Sequence, residues 1–263
     1  MFQIRRILFP VDFSRRSRGA ASYVQSLAGR FDAELIILHV IEATYNSSLE
    51  LHGSRPVDFE KFFEKSLWHL RVQTLVEHGE AAQKIIQCAA ANRVDVIMIP
   101  TQGMGIYRRL ILGSTSAKVL HDADCPVWTG VHLENAPPLE AVSCQRVLCA
   151  VDLKAASARV LDWACHLAEE YQAELTLLHV APPGERARGD AQRALEQLQE
   201  QTGSRATIRV ETGDASHVVP HLAAEGKADL LVIGRKAAAG VLGRLEMTAY
   251  TIIRQSPCPV VSV

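Results

Sequence analysis

This chain is written twice. Arg6-Ile-Leu-Phe-Pro-Val-Asp12 returns 140 positions later as Arg146-Val-Leu-Cys-Ala-Val-Asp152, and Glu34-Leu-Ile-Ile-Leu-His-Val40 returns at the same displacement as Glu174-Leu-Thr-Leu-Leu-His-Val180. Asp95-Val-Ile-Met-Ile99 pairs with Asp229-Leu-Leu-Val-Ile233 at a displacement of 134, and Asp124-Cys-Pro-Val127 with Pro257-Cys-Pro-Val260 at 133. Matching segments in a fixed order are the signature of one structural unit folded twice. The second copy is six residues shorter between Val180 and Gly213 and one shorter between Asp229 and Cys258.

Each copy alternates short apolar runs with helical patterns. In the first, the runs are Arg6–Val11, Leu35–Val40, Val72–Glu77, Val94–Ile99 and Pro126–Val131. Between them, apolar residues recur at helical spacing through Ala20, Tyr23, Val24, Leu27, Ala28 and Phe31, near Asp58–His69, through Ala81–Asn92 and from Ser114 to His121. In the second, strands are expected near 146–151, 174–180, 206–211, 230–233 and 259–263, with a helix at Asp190–Glu200. Nearly all-apolar strands separated by helices predict an α/β fold of two tandem doubly wound five-stranded parallel sheets, Rossmann-like. The prolines of Asn135-Ala-Pro-Pro-Leu-Glu-Ala141 interrupt both helix and ladder, dividing the chain into domains at 1–134 and 142–263. With 263 residues and 48% hydrophobic content, the chain can bury a core in each.

Bulk properties remove several partners. A net charge of −1 and a pI near 6.8 give no basic field for a nucleic-acid backbone or an anionic membrane. No apolar run approaches the roughly 18 residues of a membrane span, and Pro10 and Asp12 break the first run before it could act as a secretory signal. Six cysteines without a Cys-x-x-Cys pair suit reduced thiols, so a cytoplasmic location is expected.

In such a sheet, ligands sit beyond the carboxyl ends of strands one and four. Strand one delivers Pro10, Val11 and Asp12 there, and strand four delivers Ile99 and Pro100 into a loop carrying Gly103 and Gly105. Gly113-Ser114 then opens a helix, whose first N–H groups and dipole attract phosphate. Ser114, Thr115 and Ser116 add hydroxyl donors, and ionised Asp12 could accept from ribose or help hold a metal. Ser114 could also be an ordinary N-cap worth about 1 kcal/mol, and Asp12 a cap of the first helix. No dinucleotide fingerprint or Gly-x-x-x-x-Gly-Lys-Ser/Thr loop is present. No Gly-x-Ser-x-Gly elbow occurs and no catalytic nucleophile stands out. His217 and His221 have an i, i+4 spacing but no third metal ligand, and no metal site is assigned. His39 and His179 end equivalent strands, which suggests packing and leaves ligand contact open.

The spacing Gly-two-Gly-nine-Gly-Ser, with an Asp after strand one and a Val closing strand two, resembles the signature of ATP-binding universal stress proteins. Phe9-Pro-Val-Asp12, Leu38-His-Val40, Glu77-His-Gly79, Asp95-Val-Ile97, Gly103, Gly113-Ser114 and Cys125-Pro-Val127 follow the family order. The resemblance implies an adenine-nucleotide alpha-hydrolase-like fold and a stress-response protein binding ATP, with or without Mg²⁺. It assigns Val11, Asp12 and Val40 to adenine and ribose, and Gly103, Gly113, Ser114, Thr115 and Ser116 to the phosphates. It also implies antiparallel pairing through the fifth strands, Val127–Val131 and Val260–Val263, as a homodimer or a pseudo-dimer within the chain, with an unidentified protein partner. The first signature glycine falls on Pro100, which donates no hydrogen bond. In the second half Glu246-Met247 stands where Gly113-Ser114 stands in the first, so no ATP is expected there. Two alternatives remain: a slow ATP hydrolase or nucleotidyl transferase of the same fold group, and an interaction module without nucleotide.

Overall fold

The computed structural model describes residues 2–42, 59–63, 67, 69–100, 113–130, 138–235 and 247–263. Gly103, Gly105 and Glu246 lie outside them.

The first half runs β1 (Arg6–Val11), α1 (Arg15–Phe31), β2 (Glu34–Ile41), α2 (Phe59–Phe63), β3 (Arg71–His78), α3 (Ala81–Ala91), β4 (Val96–Pro100), α4 (Ser114–Asp122) and β5 (Val127–Gly130). The second runs β6 (Arg146–Ala150), α5 (Ser157–Tyr171), β7 (Glu174–Ala181), α6 (Glu185–Thr202), β8 (Thr207–Thr212), α7 (Ala215–Glu225), β9 (Leu230–Ile233), α8 (Met247–Gln255) and β10 (Val260–Ser262). The expected element order holds throughout. Two helices depart from their expected bounds: α2 covers Phe59–Phe63, with Leu67 and His69 in turns rather than helix, and α6 begins at Glu185 rather than near Asp190 and ends where Gly203 takes a left-handed φ of 69°. Its first turn, Glu-Arg-Ala-Arg, has no apolar stripe to betray a helix.

Helix α1 shows how the pattern becomes structure. Ser14 caps it by accepting the N–H of Ser17, and Ala21, Val24, Leu27, Ala28 and Phe31 bury one face at helical spacing. It stops at Asp32, which turns out of the helix in the left-handed region at φ 48°.

The ten described strands form one sheet, in the order β3-β2-β1-β4-β5-β10-β9-β6-β7-β8. Pairing is parallel within each half and antiparallel at the central seam, where Val260, Val261 and Ser262 face Thr129, Trp128 and Val127. This is the fifth-strand pairing that the family resemblance implied. Two buried hydroxyls tie the seam reciprocally: Thr129 Oγ1 donates to the Val260 carbonyl at 3.1 Å, and Ser262 Oγ to that of Val127 at 3.2 Å. Off the sheet, the Arg30 guanidinium lies 4.6 Å from the Tyr171 ring centre, and Phe2 packs edge-on against Trp163 at 4.7 Å.

One core per half was expected, and the burial differs. Among the described residues two buried clusters form, one on each face of the sheet, and both draw on both halves. Helices α1, α2, α5 and α6 cover one face and α3, α4, α7 and α8 the other. Strand alternation sorts the residues: Ile7, Phe9 and Val11 enter the first cluster, while Leu8 enters the second. Because the sheet crosses the seam unbroken, its faces divide the core more sharply than the repeat does.

Candidate functional site

The site begins where β1 leaves β4. Register between them ends at Leu8↔Ile97, whereas β1 and β2 stay paired to Val11↔His39. A crevice therefore opens beyond Leu8, and Pro10 falls past the last β1–β4 pair, where a strand tolerates a residue without an N–H. The crevice holds a cavity of about 310 Å³, within the range of small-molecule sites. Pro10, Val11, Asp12, Val40, Pro100, Thr115 and Ser116 all line it. Ser114 and Gly113 stand next to them at the start of α4, Ser114 exposed and Gly113 buried. Of the expected site residues, only Gly103 lies outside the described chain.

Three helices start around this crevice, and their first turns are satisfied differently. α1 is capped by Ser14. At α3, Glu80 accepts from the N–H groups of Ala82 and Gln83, and Glu42 Oε1 accepts from Ala81 N at 2.9 Å. At α4 the N-cap is Gly113, which has no side chain, and no side-chain cap bond is made. The expectation that Ser114 could cap is corrected, since Ser114 is already the first helical residue. Among the described residues no side chain caps the head of α4, where the first N–H groups and the positive end of the dipole point. Ser116 is also corrected as a hydroxyl donor to phosphate. It is 3% exposed, and its Oγ donates to the Pro100 carbonyl at 3.2 Å, tying α4 to the end of β4. Pro100 thus contributes an acceptor where it cannot contribute a donor.

Asp12 is held by its own turn. Its Oδ1 accepts the Ser17 hydroxyl at 2.6 Å and the Ser14 N–H at 3.0 Å, while Phe13 bends the chain at φ 57°. Burial pushes the carboxyl up, but the hydrogen bonds from Ser14 and Ser17 outweigh it and hold the group below the usual aspartate range. Asp12 is therefore an ionised acceptor and a weak proton abstractor at neutral pH. It does not cap α1 directly, because Ser14 does. His39 Nδ1 lies 2.9 Å from the Val11 carbonyl, so that nitrogen carries the proton and donates, locking the ends of β1 and β2 together. Sequence reasoning passed over Ser14, Arg16, Ser17 and Glu42, all on the crevice wall. Their positions two to five residues past Asp12, or just past Val40, were the available signal.

The second half repeats the turn and changes the chemistry. Asp152 Oδ1 accepts from Lys154 N at 3.0 Å and from Ser157 Oγ at 3.3 Å, with Leu153 at φ 60°, and His179 Nδ1 lies 2.8 Å from the Val151 carbonyl. The cavity is larger, about 530 Å³, with Ala155, Ala156, Val219 and Ile252 on its walls. Met247, Thr248 and Ala249 stand where the first half has Ser114, Thr115 and Ser116, so two of three hydroxyls are gone. His217 and His221 are exposed on α7, and no cluster of three metal-ligating residues occurs among the described residues. All six cysteines are free. Among the described residues, no helix is long and apolar enough to cross a membrane.

Comparison with known proteins agrees with the duplication. The model of the universal stress protein family matches residues 3–129 and again 144–263. A universal stress protein of Methanocaldococcus jannaschii is 27% identical over 135 residues, covering 47% of this chain and 79% of its own. Among solved structures, a universal stress protein from Archaeoglobus fulgidus superposes with a TM-score of 0.72 at 22% identity, covering 99% of this chain and 96% of that one. A functionally unknown protein from Pseudomonas aeruginosa reaches a TM-score of 0.77 at 21% identity, covering 99% and 92%.

Proposed function

This chain belongs to the universal stress protein family in both of its halves, and on that premise we propose that its first domain binds an adenine nucleotide, ATP with or without Mg²⁺, while the second serves as its built-in dimer partner. The observation that carries the reading is the start of α4, which no described side chain caps, in a crevice whose other helix starts are already satisfied by Ser14, Glu80 and Glu42. Adenine and ribose lie against Val11, Val40 and Asp12 in this reading, with the phosphates at the N–H groups of Gly113, Ser114 and Thr115. Arg16, on the same wall, adds positive charge to the crevice. The lowered pKa of Asp12 favours binding over hydrolysis, since a proton-abstracting base works best nearer neutral pH.

Calorimetric titration of ATP and AMP into the wild type and into Gly113→Glu tests this. Gly113 has φ −58°, which any residue adopts, so the substitution adds charge without backbone strain. Micromolar binding by the wild type, lost in the variant, is the expected result. Equal heats from both proteins, or none from the wild type, would overturn the proposal.

A further inference from the structure

The helix that faces the first crevice is held at its other end by the second domain. Arg235 follows β9, lines the second crevice, and crosses the seam. Its Nη1 donates to the carbonyls of Leu120 at 2.8 Å and Ala123 at 3.2 Å, and its Nη2 to that of Cys125 at 2.6 Å. Leu120 lies in the last turn of α4 and Ala123 is its C-cap, so these oxygens include carbonyls that a helix end leaves unpaired. A guanidinium fork satisfies several at once and places its positive charge at the negative end of the helix dipole. Arg235 is only 5% exposed, so its charge is held beside these carbonyls and away from bulk water. Its own backbone is fixed too, with Arg235 N donating to the Val263 carbonyl at 2.9 Å. The matching position in the first half is Thr101, an uncharged residue with one hydroxyl.

We infer that Arg235 is a positioning residue for the first-domain site: by gripping the C-terminal end of α4, the second domain sets where that helix's N-terminal N–H groups stand. The helix has nine residues and moves as a rod about 13 Å long. Release at one end displaces the other, and the inference rests on the nucleotide reading only for the ligand that reports it.

The test uses the intact chain with Arg235→Met and Arg235→Lys. Leu195→Ala, in the buried face of α6 and remote from the seam, serves as a control for general destabilisation. ATP affinity is read by calorimetry, and amide hydrogen exchange is read along α4. Arg235→Met weakens ATP roughly 3- to 30-fold, the range of mutations that couple sites without touching ligand. It also accelerates exchange along the whole of α4, and Arg235→Lys, which retains the charge, recovers part of both. Wild-type affinity and exchange in Arg235→Met would overturn the inference, as would equal effects in Leu195→Ala. If the wild type binds no ATP, the nucleotide reading fails and exchange alone decides: acceleration selective for Arg235→Met sustains the positioning role, and its absence ends it.

Discussion

Ser17→Ala isolates the bond that holds Asp12. Ser17 is 1% exposed, and its hydroxyl does two things: it donates to Asp12 Oδ1 at 2.6 Å and accepts from Asp12 N at 3.3 Å. Hydrogen bonds to charged groups contribute about 1.5–3 kcal/mol, and the exposure of Asp12 favours the lower end, about 1.5–2 kcal/mol. The chain carries its own control. Ser157 makes the equivalent bond to Asp152 at 3.3 Å, so Ser157→Ala should cost only about 0.5–1 kcal/mol. In urea, with a slope of about 3 kcal/mol/M for a protein of this size, Ser17→Ala lowers the midpoint by roughly 0.5–0.7 M at unchanged slope. The pH dependence has a definite direction. The folded pKa of Asp12 is depressed, so its contribution is complete above the ordinary aspartate value of about 3.9 and is lost as pH falls through the lower folded value. The difference between wild type and Ser17→Ala therefore shrinks from about pH 4 downward. A larger cost for Ser157→Ala, or a Ser17→Ala difference that persists unchanged at pH 2, would refute the account.

Other consequences can be checked independently. Thr129→Val and Ser262→Ala each remove a buried hydroxyl bond across the seam and should cost about 0.5–1.5 kcal/mol in denaturant titrations, with dimensions in scattering unchanged because the ladder remains. His39→Leu loses the donor to the Val11 carbonyl, costs about 1–3 kcal/mol, and weakens nucleotide binding by opening the β1–β2 end, as thermal melts with and without ATP would show. Burial pushes the Cys125 and Cys258 thiols up to about 11 and the Cys144 thiol to about 12, and raises the fully buried Cys149 further. At pH 8 a thiol-specific dye should label these four only slowly in the native protein and rapidly in urea; fast native labelling of Cys149 would contradict its burial.

How much was legible in the sequence depends on the range of the interaction. The duplicated segments, the strand and helix order and the convergence of Pro10, Val11 and Asp12 with Pro100, Thr115 and Ser116 could be read from local periodicity, repeat spacing and the rules of parallel sheets, while the antiparallel meeting of the fifth strands followed only from the resemblance to the family. These signals lie within a few residues of one another or recur at a fixed displacement. Tertiary structure alone decided which polar groups are already engaged. Whether Ser114 caps a helix, where the Ser116 hydroxyl points, and that Glu42 satisfies Ala81 depend on elements 16 and 39 residues apart meeting at one edge. Arg235 is the extreme case: nothing near it in sequence marks it, because its carbonyl partners lie 110 to 115 residues away. The division of the core by sheet face is likewise a property of ten strands joined at a seam, and it arises only once both copies have folded against each other.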